Sequence, residues 1–367
     1  TTIIFGVAAA SVPAQAKPGD KIENSYICVF KAGAVSRANV GAEAGKAASN
    51  GGGQVKHHYE NSIRGFAANM SANGARQAAA HNPKIAYCEQ DQEVGLIQVD
   101  PLVFRELGKP APPPAAQQPG WGIARVNGGG TNTTSNKTAW VIDTGIDLDH
   151  PDLRVDVGRS RSFVRDSSPD DANGHGSHVS GIIGAKNNAY GAIGVTPNTL
   201  LVAVRVLDRS GSGSNSGVIA GVDYVAGEGV AGDVANMSLG GGVSSALDTA
   251  VETAAAGGVK FILAAGNETD SANNHSPARA NGANVYTVAS FTSTGAWSSF
   301  SNYGDPPVDY AEPGSSIYSS YKNGGYATLS GTSMAAPHLA GILIAGGVST
   351  DGTVTRTGSE TYPIGVK

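Results

Sequence analysis

Three short stretches carry side chains that could together activate a hydroxyl. Gly331-Thr332-Ser333 opens onto Met334, Ala335, Ala336, Leu339, Ala340, Ile342, Leu343 and Ile344, the pattern of a mostly apolar helix. That parks Ser333 at a helix N-terminus, where free N–H groups and the helix dipole favour negative charge forming beside its hydroxyl. Pro337 is expected in the first turn, where no donor is lost. A serine hydroxyl needs a base to take its proton and a carboxylate to orient that base. Trp140-Val141-Ile142-Asp143 puts a carboxylate at the C-terminal tip of an apolar strand, and Asn173-Gly174-His175-Gly176 puts an imidazole between two glycines at the start of an apolar helix. Taken singly, each stretch has a plainer reading. Ser333 alone is an N-cap. His175 and His178 at i, i+3, with Asp143, Asp147, Asp149 and Asp152, would suit a metal-dependent hydrolase, but no third ligand cluster with recognisable spacing follows.

Taken together, the order Asp143, His175, Ser333 with these local words resembles the subtilisin-like serine proteases, over nearly all of 116–345. The resemblance implies that Ser333 is the nucleophile, His175 the general base and then acid, and Asp143 the group that fixes the imidazole tautomer, with His178 a structural neighbour. It also gives a role to Ile262-Leu263-Ala264-Ala265-Gly266-Asn267-Glu268. The family's Asn at this place donates to the tetrahedral oxyanion, with the Ser333 backbone N–H as second donor, although Gly-Asn alone is commonly a turn.

Substrate backbone is expected between two extended edges, Gly211-Ser212-Gly213 and Ser238-Leu239-Gly240, which can pair with a peptide as added strands. The pocket for the side chain before the scissile bond would be walled by Ser238, Leu239 and Gly240 and by Ala264, Ala265 and Gly266, with Glu268 at its mouth. That implies a broad endopeptidase favouring large apolar side chains. The loop 186–192 resembles the family's tight Ca²⁺ loop: its ligands would be side-chain oxygens of Gln117, Asp152 and Asn188 and backbone carbonyls of Lys186, Tyr190 and Ala192, six hard oxygens. Gln117 serves only if the mature chain begins just before it. The competing class is an inactive, peptide-binding relative; labelling of Ser333 by a fluorophosphonate would separate the two.

These groups need a scaffold. Beyond residue 116, short apolar strands alternate with Ala/Gly-rich helices at 138–143, 200–207, 218–226, 234–239, 247–256, 260–265 and 284–290, the pattern of a parallel α/β sheet covered on both faces. Upstream, 24–98 alternates strand and helix signals in a β-α-β-β-α-β order, a small α+β, ferredoxin-like unit. Its wording in Tyr26 to Lys31, Gly65-Phe66-Ala67-Ala68 and Ala86-Tyr87-Cys88-Glu89-Gln90-Asp91 resembles the family's inhibitory prodomain, which acts as folding chaperone and inhibitor of its own enzyme. Cys28 and Cys88 would then lie on neighbouring strands; two buried free thiols are expected, with a disulfide as the alternative. Residues 99–115 are a Pro-rich linker, longer than the family's usual one, so a first cut is expected near 96–105, with trimming towards Ala116. Residues 1–16 resemble the apolar part and Ala-Gln-Ala cleavage site of a secretory signal, and 1–23 is read as a leader. The short tail after Ser333 should end in a hairpin around Asp351-Gly352, without the family's usual last helix.

Composition narrows the rest. The chain has 367 residues, 51 of them Gly, with only 15% charged side chains, which suits tight turns and close packing of helices on a sheet. A net charge of −5 with no basic run offers no footprint for nucleic acid or an acidic membrane. No stretch reaches the roughly 18 apolar residues of a membrane span. A secreted, extracellular monomer acting on polypeptides is the expectation.

Overall fold

The computed structural model describes residues 16–97, 117–356, 358 and 360–367; the signal-like start and the Pro-rich linker fall almost wholly outside them. The N-terminal unit runs β1 (Lys21–Phe30), α1 (Val40–Asn50), β2 (Gln54–Tyr59), β3 (Gly65–Asn69), α2 (Ala72–His81) and β4 (Ile85–Leu96). Its sheet is antiparallel in the order β4-β1-β3-β2. Because side chains alternate along a strand, β1 serves two cores. Cys28 and Phe30 pack with Phe66 under α1 and α2, whereas Ile27 and Val29 join Tyr59, Ile63 and Val94 against the rest of the chain. Register sets Cys28 directly opposite Cys88, and the two are bonded, with Cα atoms 4.1 Å apart. The expectation of free thiols is therefore corrected: cross-strand pairing closes the gap that sequence separation hides.

The larger unit adds α3 (Trp121–Arg125), β5 (Thr138–Asp143), β6 (Arg154–Val155), β7 (Arg161–Ser162), α4 (His175–Gly184), β8 (Leu200–Arg205), β9 (Ser212–Ser214), α5 (Asn215–Glu228), β10 (Val234–Met237), β11 (Leu239–Gly241), α6 (Ser245–Ala256), β12 (Lys260–Ala264), β13 (Val285–Phe291) and β14 (Val308–Pro313). It closes with β15 (Ile317–Tyr321), β16 (Gly325–Leu329), α7 (Thr332–Ala345), β17 (Ser349–Thr355) and β18 (Thr361–Val366). Eight strands form one parallel sheet, β14-β13-β12-β10-β5-β8-β6, with β7 also on β8. Along β5, Trp140 and Ile142 face α5 and α6, while Ala139 and Val141 face α4 and α7. A strand buried on both faces has no polar side, which is why the sequence shows runs rather than alternation.

Two expectations need correction. Pro337 is the sixth residue of α7, because the helix already begins at Thr332. A proline there cannot donate to the carbonyl four residues back, which is that of Ser333. The Ser238 hydroxyl takes over, donating to Ser333 O at 2.9 Å. Secondly, Asp351-Gly352 lies inside β17 as a bulge, with Gly352 at φ +84, and β17 runs on to Thr355 before β18 begins at Thr361.

Candidate active site

The candidate side chains gather in two pairs where strands of the parallel sheet end, Asp143 with His175 and Asn267 with Thr332, the neighbour of Ser333. Asp143 closes β5, fully buried, and His175 opens α4, 7% exposed. His175 Nδ1 meets Asp143 Oδ1 at 2.8 Å and Oδ2 at 3.0 Å. The approach depends on Gly176: a Cβ there would lie 2.0 Å from the Gly145 carbonyl oxygen. Asp171, which the sequence reading passed over, holds the head of α4. Its buried carboxylate accepts from Gly174 N, Ser177 N, Ser177 Oγ and Thr144 Oγ1, the last beside Asp143. Its signal in the sequence is an Asp a few residues ahead of a helix, an ordinary capping pattern. His178 is enclosed in the same helix; burial, and then the neighbouring His175, push it down to about 3, so it stays neutral and structural.

Ser333 is the second residue of α7, and its hydroxyl donates to Ser238 O at 3.2 Å. Asn267 follows β12, and Gly266 before it, at φ +111, leaves room where a Cβ would strike Asn302 Nδ2 and Glu268 Oε2. Glu268 Oε2 accepts from Asn302 Nδ2 at 2.6 Å. The Asn267 side-chain oxygen accepts from Thr332 N at 2.9 Å and Thr332 Oγ1 at 3.0 Å, which turns its Nδ2 outward. Thr332 is a second positioning residue missed in the sequence. Asn267 Nδ2 donates to the carbonyl of Ile97 at 3.2 Å.

Ile97 follows β4, which lies between both candidate edges. Glu93, Val94 and Gly95 pair with Ser214, Gly213 and Ser212 of β9, and Val94, Gly95 and Leu96 pair with Gly241, Gly240 and Leu239 of β11. Leu96 N also donates to Gly211 O at 3.0 Å. Ile97 is buried in one cluster with Ala264, beside Gly240. The proposed edges and pocket walls thus surround a segment of the chain itself.

Residues 138–345 match the subtilase family. The chain belongs to the subtilase family. It is 45% identical over 302 residues to an alkaline serine exoprotease A of Vibrio alginolyticus, spanning 79% of this chain but only 52%, about half, of that relative. Over 306 residues it is 39% identical to the subtilisin-like serine protease Pen c 1 of Penicillium citrinum, 79% of this chain and 71% of the relative. An extracellular serine proteinase of a Thermus species is 39% identical over 303 residues, 79% and 68%. Among solved structures, a cold adapted subtilisin-like serine proteinase matches at 45% identity and a TM-score of 0.53, over 62% of this chain and 84% of the other. This subtilase is a serine protease with an Asp-His-Ser triad on the α/β fold expected from the sequence.

The loop read as a Ca²⁺ site is drawn together by the fold. Gln117 Nε2 donates to Lys186 O at 2.8 Å and Ala192 O at 2.7 Å, and its Oε1 accepts from Asn188 N. Asp152 accepts from Asn188 Nδ2 and Ala192 N; Tyr190 joins through its N–H to Asn188 Oδ1 at 3.3 Å. Subtilases typically bind calcium, and among the described residues no group of three or more His, Cys, Asp or Glu could hold a metal. This cluster has one carboxylate, its other candidate donors being amide and backbone oxygens.

Proposed function

We propose that this chain is the zymogen of a secreted serine endopeptidase that cuts itself after Ile97, so that the inhibitory prodomain expected over 24–98 ends at Ile97. Ser333 attacks the Ile97 carbonyl carbon, His175 takes the hydroxyl proton and returns it to the leaving amine, and Asp143 holds the imidazole. Asn267 Nδ2 and the Ser333 N–H receive the oxyanion. The observation that carries the reading is the Ile97 carbonyl at 3.2 Å from Asn267 Nδ2, with the preceding residues paired to both β9 and β11. The same edges, bare of large side chains, support broad specificity, and the apolar surroundings of Ile97 support a preference for apolar side chains before the cut.

Contacts remote from the cleft support the prodomain role. Glu89 accepts from Ser244 Oγ and Ala246 N at the head of α6, and Asp91 accepts from Ser216 N and Oγ at the head of α5. Both carboxylates complement the positive ends of helix dipoles. In return, Asp223 of α5 accepts from Glu60 N, Asn61 N, Asn61 Nδ2, Ser62 N and Ser62 Oγ. For the cation, the all-oxygen set of Gln117, Asp152, Lys186, Asn188, Tyr190 and Ala192 fits Ca²⁺ in chemistry; the Gln117 amide nitrogen, faced by two carbonyls, stands in for the positive charge. Bound there, the ion would tie the start of the mature chain to two loops.

The test is Ser333→Ala. It should abolish peptide hydrolysis and self-processing, leaving a chain that retains 24–115, whereas N-terminal sequencing of the wild type should report a start after Ile97 or trimmed towards Ala116. Normal maturation of the mutant, in a host without other secreted proteases, overturns the assignment.

A further inference from the structure

Both cysteines of the chain lie in the N-terminal unit, and the larger unit has none. A disulfide-cleaving thiol can therefore act on this protein through Cys28–Cys88 alone. The bond stands where it controls the tail. β4 is paired within its own unit to β1 only, and it runs on into the segment held between β9 and β11. Just beyond Cys88, Glu89 and Asp91 of the same strand bond the heads of α6 and α5. Cys28–Cys88 thus fastens the strand that meets the larger unit to the module behind it. The two residues are 60 apart in sequence, and closing a loop that long strongly restricts the unfolded module.

The two sulfurs are not equally open. Cys28 is fully buried, whereas Cys88 is half-buried and lines a surface hollow of about 200 Å³ with Tyr26, Ala72, Ala75, Arg76 and Ala79. Cys28 and Cys88 belong to the face of the sheet that packs under α1 and α2, opposite the face that joins the larger unit. The hollow is therefore open while the chain is still whole. Alanines leave its walls bare, and Arg76, itself exposed, gives it a positive charge.

We propose that Cys28–Cys88 is a thiol-exchange site that releases the prodomain, opened by a small anionic thiol that enters the hollow and attacks Cys88. The inference rests on the reading of the N-terminal unit as inhibitor. In the first step the reagent's thiolate bonds to Cys88 Sγ, the Cys28–Cys88 bond breaks, and Cys28 leaves as a thiolate that takes a proton from water. A second thiolate attacks the reagent sulfur of this mixed disulfide, Cys88 leaves and is protonated in turn, and the reagent departs as its own disulfide. One protein disulfide is reduced and two reagent thiols are oxidised. The attack falls on Cys88 because the buried Cys28 sulfur offers no approach, and the Arg76 guanidinium favours the reagent's negative charge. With the bond open, Glu89 and Asp91 keep their partners, but the module that holds their strand loosens and the cut tail leaves sooner. An enzyme without cysteine goes on working in the thiol-rich medium that opens its inhibitor.

The experiment has two arms. In the first, the full-length Ser333→Ala chain is treated with mercaptopropionate, mercaptoethanol or cysteamine, anionic, neutral and cationic in turn, and the adducts are located by mass spectrometry. With each rate divided by that thiol's rate on a small-molecule disulfide, the anionic reagent should react several-fold faster than the cationic one, the first adduct should sit on Cys88, and Arg76→Gln should level the series. In the second, the wild-type full chain is refolded with its disulfide intact, mercaptopropionate is added once the first cut is complete, and peptide hydrolysis is followed. Activity should appear about tenfold sooner with the thiol than without it, while the same thiol leaves the rate of fully mature enzyme unchanged. First adducts on Cys28, equal normalised rates for the three thiols, or an activation time that does not change although the bond has opened each overturn the proposal. These comparisons use the folded wild-type disulfide, so they stand even if a Cys28→Ser, Cys88→Ser chain, which should ignore the thiol, fails to fold. Full activity before any thiol is added, with 24–97 still bound, overturns the inhibitory reading itself, and this inference with it.

Discussion

Asn267 is held by its oxygen and presents its nitrogen. Thr332 supplies both an N–H and a hydroxyl to Oδ1, so the amide cannot turn without breaking two bonds, and Nδ2 faces the Ile97 carbonyl. A donor fixed before charge develops costs no reorganisation during reaction. Asn267→Ala should therefore lower kcat by roughly 10²–10³ with KM little changed, the loss typical of this enzyme class when one such donor goes. Thr332→Val, which keeps the N–H, should cost less; steady-state kinetics on both variants checks the pair, and an unchanged kcat in Asn267→Ala removes the oxyanion role. Asp143, His175, Ser333 and Asn267 are legible in the sequence because strand tips and helix heads announce themselves by apolar runs ending in a polar residue. Thr332, Asp171 and the Ser238 hydroxyl are not, because a Ser, Thr or Asp near a helix start reads as a cap until its partners across the fold are known. Pro337 shows the same limit: its cost to the helix is visible in sequence, but the group that satisfies Ser333 O sits 95 residues away.

At the scale of elements, the parallel sheet is legible since its strands are continuous apolar runs, while pairing register is not. Register decides that Cys28 meets Cys88 and that Asp351-Gly352 is a bulge. The loop between α4 and β8 illustrates the consequence for stability. All described residues of the larger unit lack cysteine, and the cluster around Gln117 joins its first described residue to Asp152 and to Lys186–Ala192 through short hydrogen bonds. A cation binding only the folded chain stabilises it by RT ln(1 + [L]/Kd), about 4 kcal/mol at 1,000-fold saturation. Mature enzyme should melt several degrees lower in excess EDTA than in excess Ca²⁺, by scanning calorimetry, and Asp152→Ala should remove most of the difference. Equal melting temperatures would sink the calcium assignment.

For the whole molecule, the two units share one core while the smaller also keeps its own. Ile27, Val29, Tyr59, Ile63 and Val94 pack with Val218, Ile219, Val222 and Leu247, yet Phe66, Phe30, Val40 and Met70 form a separate cluster under α1 and α2. Residues 24–98, stapled by Cys28–Cys88, should therefore fold alone and should inhibit the mature enzyme when added back. Most of the affinity should reside in the module, so weakening its private core weakens inhibition: Phe66→Ala, at a fully buried ring, should cost roughly 3–5 kcal/mol of fragment stability. Inhibition should also depend on pH. Burial, and then the Glu252 and Glu89 carboxylates, push Asp248 of α6 up to about 7 despite Arg279 at 3.4 Å, and burial also raises Glu89. The part of these shifts that arises on binding, from burial under the fragment and from Glu89 beside Asp248, favours the complex while the carboxyls are protonated, so that contribution is present at low pH and is lost as pH rises through about 7. The inhibition constant of the fragment against mature wild-type enzyme, with each pH referred to its own uninhibited rate, should be lower at pH 6 than at pH 8, with Asp248→Asn flattening the trend. Binding that tightens towards pH 8 would refute the part given to Asp248, and no binding by the wild-type fragment at high micromolar concentration would leave 24–98 without its role.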